Sequence, residues 1–290
     1  VLGDTALFHF QNNETGLQDF FTVRIDQNLG RQDRLFLRYN FDDGRRAGRT
    51  DFDLGATSNR SRAQSLALDY TRPVNARLLN VARAGFSRSR SLFGVTEVDH
   101  PLTQDPAYAF VPGARAMGVL DVSGLTLFPG GSNSLEYGDY VLQSYQVSDD
   151  ATWVKGHHTV SFGGRLERTH FNSINPNRIN GEYRFNGVRQ FLTNTPSRLR
   201  AMLPGSDPVR GFRQWLGGLY WQDVWKAVPR VTLQAGLRHE WATVPTEVNG
   251  KLANLDRLTD LEVRTGDPLY RNPSWKNLHP RLGAAWDIRG

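Results

Sequence analysis

The chain has 290 residues, no cysteine, 39% hydrophobic residues and a formal net charge of +6. Without cysteine, disulfides, thiolate metal centres and thiol nucleophiles are excluded. No apolar run approaches the roughly 20 residues of a transmembrane helix, but a membrane β-barrel stays open, because its lipid-facing and lumen-facing residues alternate and cancel in any averaged hydropathy.

The sequence pI of 9.8 raises nucleic-acid binding. The basic residues, mostly arginine, are however dispersed. Arg24, Arg38, Arg83, Arg165 and Arg238 stand singly among apolar neighbours, as the polar face of a sheet would. No nucleic-acid partner is expected. The chain starts at Val1 without a start methionine, basic n-region or apolar signal core, and stops at Gly290 in a turn-like stretch. Both ends are therefore expected to be cut from something longer, with the signal peptide and any plug lying outside residues 1–290.

Period-two alternation marks the strands. In 20–29, Phe21, Val23 and Ile25 alternate with Thr22, Arg24 and Asp26; in 33–41, Leu35, Leu37, Tyr39 and Phe41 oppose Arg38 and Asn40. Segment 62–72 sets Leu66, Leu68 and Tyr70 against Ser65, Ala67 and Asp69. After the turn 72–75, segment 77–88 sets Leu78, Ala82, Ala84 and Phe86 against Arg83, Gly85 and Ser87. The second half repeats the rhythm over 141–154, 159–170, 213–225, 231–241 and 280–288. In 231–241, Val231, Leu233, Ala235 and Leu237 alternate with Thr232, Gln234, Gly236, Arg238 and Glu240.

The connections alternate between short (near 30, 74, 156 and 228) and long (about 42–61, 89–139, 172–212 and 242–279). A bacterial outer-membrane barrel has this asymmetry, with short periplasmic turns and long extracellular loops. Trp153, Trp221, Trp225 and Trp241 fall near strand ends, where amphipathic rings settle at membrane interfaces. The expected fold is all-β: part of an antiparallel transmembrane β-barrel, about nine or ten strands of a larger one, forming a single domain. A short strand is expected at 181–185 and a helical turn near 188–192.

No motif points to catalysis or a cofactor, and the chain is expected not to be an enzyme. His157 and His158 are adjacent in a turn, so their side chains point apart, and His9, His100, His170, His239 and His279 form no i, i+4 metal pair. The acid pairs Asp42-Asp43 and Asp149-Asp150 are read as solvated groups at strand ends or in loops. Gly163 and Gly164 are read as places where strands bend or pack closely. The lumen-facing candidates are Arg24, Arg38, Arg83, Arg165, Glu167, Gln222, Arg238 and Glu240, whose alternative reading is simple hydration and cross-strand pairing.

Three stretches resemble a family. Val147–Gly164 is similar to paired strands of TonB-dependent outer-membrane receptors. Tyr220-Trp221-Gln222-Asp223-Val224-Trp225 followed by Pro229–Arg238 looks like that family's YxQDxW…LTLxxGLR hairpin, and Pro280-Arg281-Leu282-Gly283-Ala284-Ala285-Trp286 like its PRxGxAW strand. The long loops and the segment 33–42 fit best the Oar-like receptors. The resemblance is carried mainly by residues 140–290. It implies a plugged barrel of about 22 strands in a Gram-negative outer membrane, importing an extracellular ligand with energy relayed by TonB. Its partners would be outer-membrane lipid, the ligand and, through a plug outside this chain, the TonB system. A passive porin or adhesin barrel is one alternative. A secreted carbohydrate-binding β protein with Tyr137, Tyr183 and Trp275 as a sugar platform is another.

Overall fold

The structure is a computed structural model, and it describes residues 5–97, 105–113, 117–128, 137–176, 178–203, 205–266, 270–272 and 274–288. His100 and the glycine-rich punctuation at 129–131 lie outside the described residues, as does the side chain of Tyr137.

In chain order the strands are β1 (Thr15–Leu29), β2 (Asp33–Arg49), β3 (Gly55–Asn75), β4 (Leu78–Glu97), β5 (Val119–Val122), β6 (Tyr137–Lys155), β7 (His158–Ile174) and β8 (Glu182–Phe185). After helix α1 (Val188–Leu192) come β9 (Arg198–Arg200), β10 (Val209–Val228), β11 (Val231–Ala242), β12 (Thr246–Glu247), β13 (Ala253–Asn254), β14 (Arg264–Thr265) and β15 (Leu278–Trp286). The long strands form one antiparallel meander in the order β1-β2-β3-β4-β6-β7-β10-β11-β15, and the short strands belong to the connections. The meander does not close on itself: β1 and β15 are its two edges.

All nine expected strands are present, and most are longer than the alternation suggests. The expected long loop at 42–61 is a correction. Strands β2 and β3 stay paired up to Arg49 opposite Ala56, leaving a connection of residues 50–54 only. The cause is length: at ~3.3 Å per residue a strand of 21 residues runs about 70 Å, and even tilted it outruns a hydrophobic band about 25 Å tall. Beyond that band neither face meets hydrocarbon, so polarity stops alternating while backbone pairing continues. Two turns also differ. Strand β3 runs through 72–75 and β10 runs to Val228, each with a register shift, between Pro73 and Asn75 and between Lys226 and Val228. A bulge absorbs the extra residue and tolerates the missing N–H of Pro73. The tight turns therefore fall at 30–32, 76–77, 156–157 and 229–230, with Gly156 at φ +61° as a two-residue hairpin connection requires.

Registered pairing separates two faces. One row across eight strands reads Ile25, Leu37, Leu68, Ala84, Val147, Leu166, Gly217 and Trp241. The adjacent row on the other face reads Arg24, Arg38, Ala67, Gly85, Gln146, Glu167 and Leu216. Among the described residues no second layer of strands or helices covers the apolar face. Val147, Leu219, Trp221 and Leu237 are 55%, 62%, 46% and 47% exposed, while the buried apolar side chains among the described residues are Leu54, Val122, Ala151, Phe185 and Leu252. A sheet in water would bury such a face against a second layer. The tryptophans of the long strands, Trp153, Trp215, Trp221, Trp225, Trp241 and Trp286, all fall on it by register.

The connections at the end opposite the tight turns have structure of their own. Strands β5, β8 and β9 form a small sheet joining two long connections, and the expected short strand and helical turn are its β8 and α1. Phe185 packs edge-on against Phe191, and Tyr183 against Phe110. Trp275 instead stacks on Trp241, 5.0 Å between centroids. Tyr183 and Trp275 thus belong to different packing clusters.

Glu247 pins the connection after β11. It is 4% exposed, and its carboxylate accepts backbone N–H bonds from Gly211 at 2.9 Å, Asn249 at 2.9 Å and Lys251 at 2.8 Å. Burial pushes this carboxyl up, but the three N–H donors outweigh it and hold it below its ordinary 4.5. A depressed folded value means the anchor is fully present above the unfolded value and is lost as pH falls through the folded one. Glu247→Ala is therefore expected to loosen this connection by about 1.5–3 kcal/mol. Limited proteolysis at neutral pH checks it: cleavage should appear within 243–277 in the variant, while the unsubstituted protein shows it only in acid.

Candidate functional site

All eight lumen candidates share the polar face, and the structure gathers seven of them into three clusters. On β1 and β2, Arg24 pairs with Asp26 at 2.6 Å and lies over the Phe36 ring at 4.5 Å; Arg38 approaches the same ring at 6.0 Å. These groups are open to solvent, and such pairs add little stability.

The second cluster spans more of the sheet. Arg83 on β4 donates to Asp69 on β3 at 2.9 Å and to Asp150 on β6 at 2.6 Å. Tyr220 on β10 donates its hydroxyl to the other oxygen of Asp150 at 2.7 Å. The tyrosine thus reaches across β7, which is possible because the residue beneath its ring is Gly163. A Cβ built there would lie 2.6 Å from the Asp149 carbonyl oxygen and 2.8 Å from Tyr220 Cε1. The glycine read as a place of close packing is therefore a passage for a side chain.

The third cluster lies beside it. Ser144 donates to Glu167 at 2.6 Å, and Arg165 donates to Glu167 at 2.6 Å and to Gln146 at 3.1 Å. Across Gly218, which faces both Arg165 and Glu240 in register, Arg238 pairs with Glu240 at 2.8 Å. Asp150, Arg165, Glu167, Tyr220, Arg238 and Glu240 line an open concavity of about 530 Å³ whose lining includes Gly218. Gln222, the eighth candidate, makes no side-chain hydrogen bond among the described residues. The concavity offers two guanidinium groups, three carboxylates and a phenol to a polar ligand or to a protein surface.

Sequence reasoning missed Asp69, Asp150 and Tyr220 as members. Asp149-Asp150 is not at a strand end or in a loop: it lies inside β6 and its two side chains take opposite faces, Asp150 in the polar network and Asp149 accepting from Asn80 at 2.8 Å. Asp42-Asp43 likewise lies inside β2, with Asp42 accepting from Gln18 and Asp43, 5% exposed, held by Arg60 and Arg62. His158 is not left to solvent in a turn. It opens β7, meets Asp223 at 2.7 Å and stacks on Trp225. The signal that could have found Tyr220 is its register opposite Gly163, which the β7–β10 pairing fixes and the sequence alone does not.

An uncovered apolar face backed by a charged one over nine long strands is the architecture of a membrane sheet, and comparison with known proteins agrees. Residues 2–290 match the family described as outer membrane beta barrel domain. The chain belongs to that family. This barrel domain therefore resides in the outer membrane of a Gram-negative bacterium. No curated protein matches the chain. Among solved structures, the copper transporter OprC is similar with a TM-score of 0.48 and 12% identity, over 93% of this chain and 34% of that one. The barrel domain thus spans about a third of the length of that structure.

Proposed function

We propose that this chain is part of the barrel wall of a TonB-dependent, Oar-like receptor that imports an extracellular ligand. Its polar face lines the lumen and its long connections face outward. The observation that carries this reading is the cross-strand network on the polar face. Asp69, Arg83, Asp150 and Tyr220 tie β3 to β10, and beside them is a concavity rich in charge. A narrow barrel fills its interior with packed side chains; a face of charged groups with open space above it suits a wide lumen that contacts water, a plug or a passing ligand. Tyr220 and Arg238, the two ends of the hairpin that carries the resemblance to these receptors, line that concavity. Closing such a lumen needs strands beyond β1 and β15, so the transporting unit is the complete protein.

Plugging is the property that separates this reading from a passive porin. Reconstituted in planar bilayers, the complete protein is expected to be silent until denaturant displaces the plug, and to conduct thereafter. Steady conductance without denaturant would replace the receptor with a passive pore.

A further inference from the structure

Above its apolar band, the lipid side of the sheet changes character. Tyr39, Leu66, Phe86 and Tyr145 form the last largely apolar row. Toward the long-connection end follow Gln64 and Arg88, then Asp43, Arg62 and Arg90, then Arg45 and Arg60. Arg45 stands directly opposite Arg60, and Arg62 directly opposite Arg90. Like charges placed so are destabilising unless an anion joins them. The protein supplies only part of that compensation. Asp43 takes Arg60 at 2.7 Å and Arg62 more closely, with Arg45 at 3.8 Å, and Asp139 takes Arg90 at 2.6 Å. The four guanidinium groups of Arg45, Arg60, Arg62 and Arg90 thus share two carboxylates, and Arg88 has no partner among the described residues. Arg60, Arg62, Arg88 and Arg90 surround a recess of about 70 Å³ beside Leu92. The belt continues along the sheet with Arg168 over the Trp215 ring at 5.0 Å and with Arg213 on β10.

We propose that this arginine belt is a docking site for the phosphates of glycolipid headgroups in the outer leaflet. Three features select that occupant. The belt lies on the face that meets lipid, which a ligand inside the lumen does not reach. It follows immediately on the aromatic row, the level at which headgroups begin. Its cations are all arginine, whose planar fork binds phosphate oxygens in pairs while its stem lies along apolar surface. The headgroup phosphates supply the negative charge that Asp43 and Asp139 leave unmatched. The proposal rests on the outward orientation of the long connections given above.

The test uses the complete protein in detergent, with binding of diphosphorylated lipid A, its dephosphorylated form and inorganic phosphate followed by native mass spectrometry. The variant R45Q/R88Q removes two cations while keeping the closest partners of Asp43 and Asp139. It is expected to bind diphosphorylated lipid A about thirtyfold more weakly. R45K/R88K, which keeps charge but not the fork, should fall between. Dephosphorylated lipid A should bind no better to the wild type than to R45Q/R88Q, and inorganic phosphate should not displace the lipid. Equal affinity of wild type and R45Q/R88Q, or equal binding of the two lipids, overturns the belt, as does displacement by inorganic phosphate. The heat-dependent gel mobility of the same samples reports on the barrel separately: its absence in the wild type overturns barrel and belt together, its presence with equal binding overturns the belt alone.

Discussion

Gly163→Val is expected to prevent the sheet from assembling. A Cβ at this position meets the Asp149 carbonyl oxygen at 2.6 Å, Asp150 Oδ1 at 2.5 Å and Tyr220 Cε1 at 2.8 Å. The first is backbone on a strand paired with β7 from Asp139 to Lys155, so it cannot yield without disturbing the register. The other two are the partners of the hydrogen bond that ties β10 to β6. Overpacking costs about 1–3 kcal/mol, and the polar groups left unmatched add about 1–3 kcal/mol more. Tyr220→Phe, which removes the hydroxyl but not the ring, should cost only about 1–3 kcal/mol, because Asp150 keeps Arg83. Folded protein recovered from outer membranes, scored by heat-dependent mobility, checks both. The valine variant should be missing and the phenylalanine variant present at reduced yield.

The second large effect separates the two faces. Leu219 is 62% exposed on the apolar face, registered between Gly164 and His239, whereas Gln222, three residues on, is on the polar face opposite Ser161 and Gly236. Leu219→Arg places a guanidinium in lipid near mid-height and is expected to cost about 2–4 kcal/mol, while Gln222→Arg stays in a polar setting and should change stability by less than about 1 kcal/mol. Unfolding by denaturant in lipid vesicles measures the difference. Equal costs at the two positions would mean that the two faces share one environment.

Much of this fold is legible in the sequence because the bilayer enforces a simple rule on it. Where one face meets lipid and the other does not, as in Val231–Leu237, the side chains must alternate, and the strand announces itself. Where neither face meets hydrocarbon, as from Asp42 to Ser61, nothing enforces alternation, and a continuing hairpin reads as a loop. The eight candidates share one face of the sheet, a grouping that parity within each strand already suggests. The clusters they form were not legible, because Tyr220 reaching Asp150 depends on the register of β10 against β7 and of β7 against β6. The second follows from the two-residue turn at 156–157, but the first is set across the connection 175–208, whose length carries no register information. The acid pairs show the same limit. Two adjacent acids inside a strand take opposite faces, and only the pairing says which acid meets which partner.

The most direct test of the two-faced membrane sheet is a single-cysteine scan along β11 of the complete protein, aided by the absence of cysteine from this chain. Spin labels at 231–238 would be exposed in turn to oxygen, which concentrates in lipid, and to a water-soluble paramagnetic reagent. Labels at Val231, Leu233, Ala235 and Leu237 are expected to respond to oxygen, and those at Thr232, Gln234, Gly236 and Arg238 to the water-soluble reagent. A uniform response along the strand, or water accessibility at all eight positions, would contradict it.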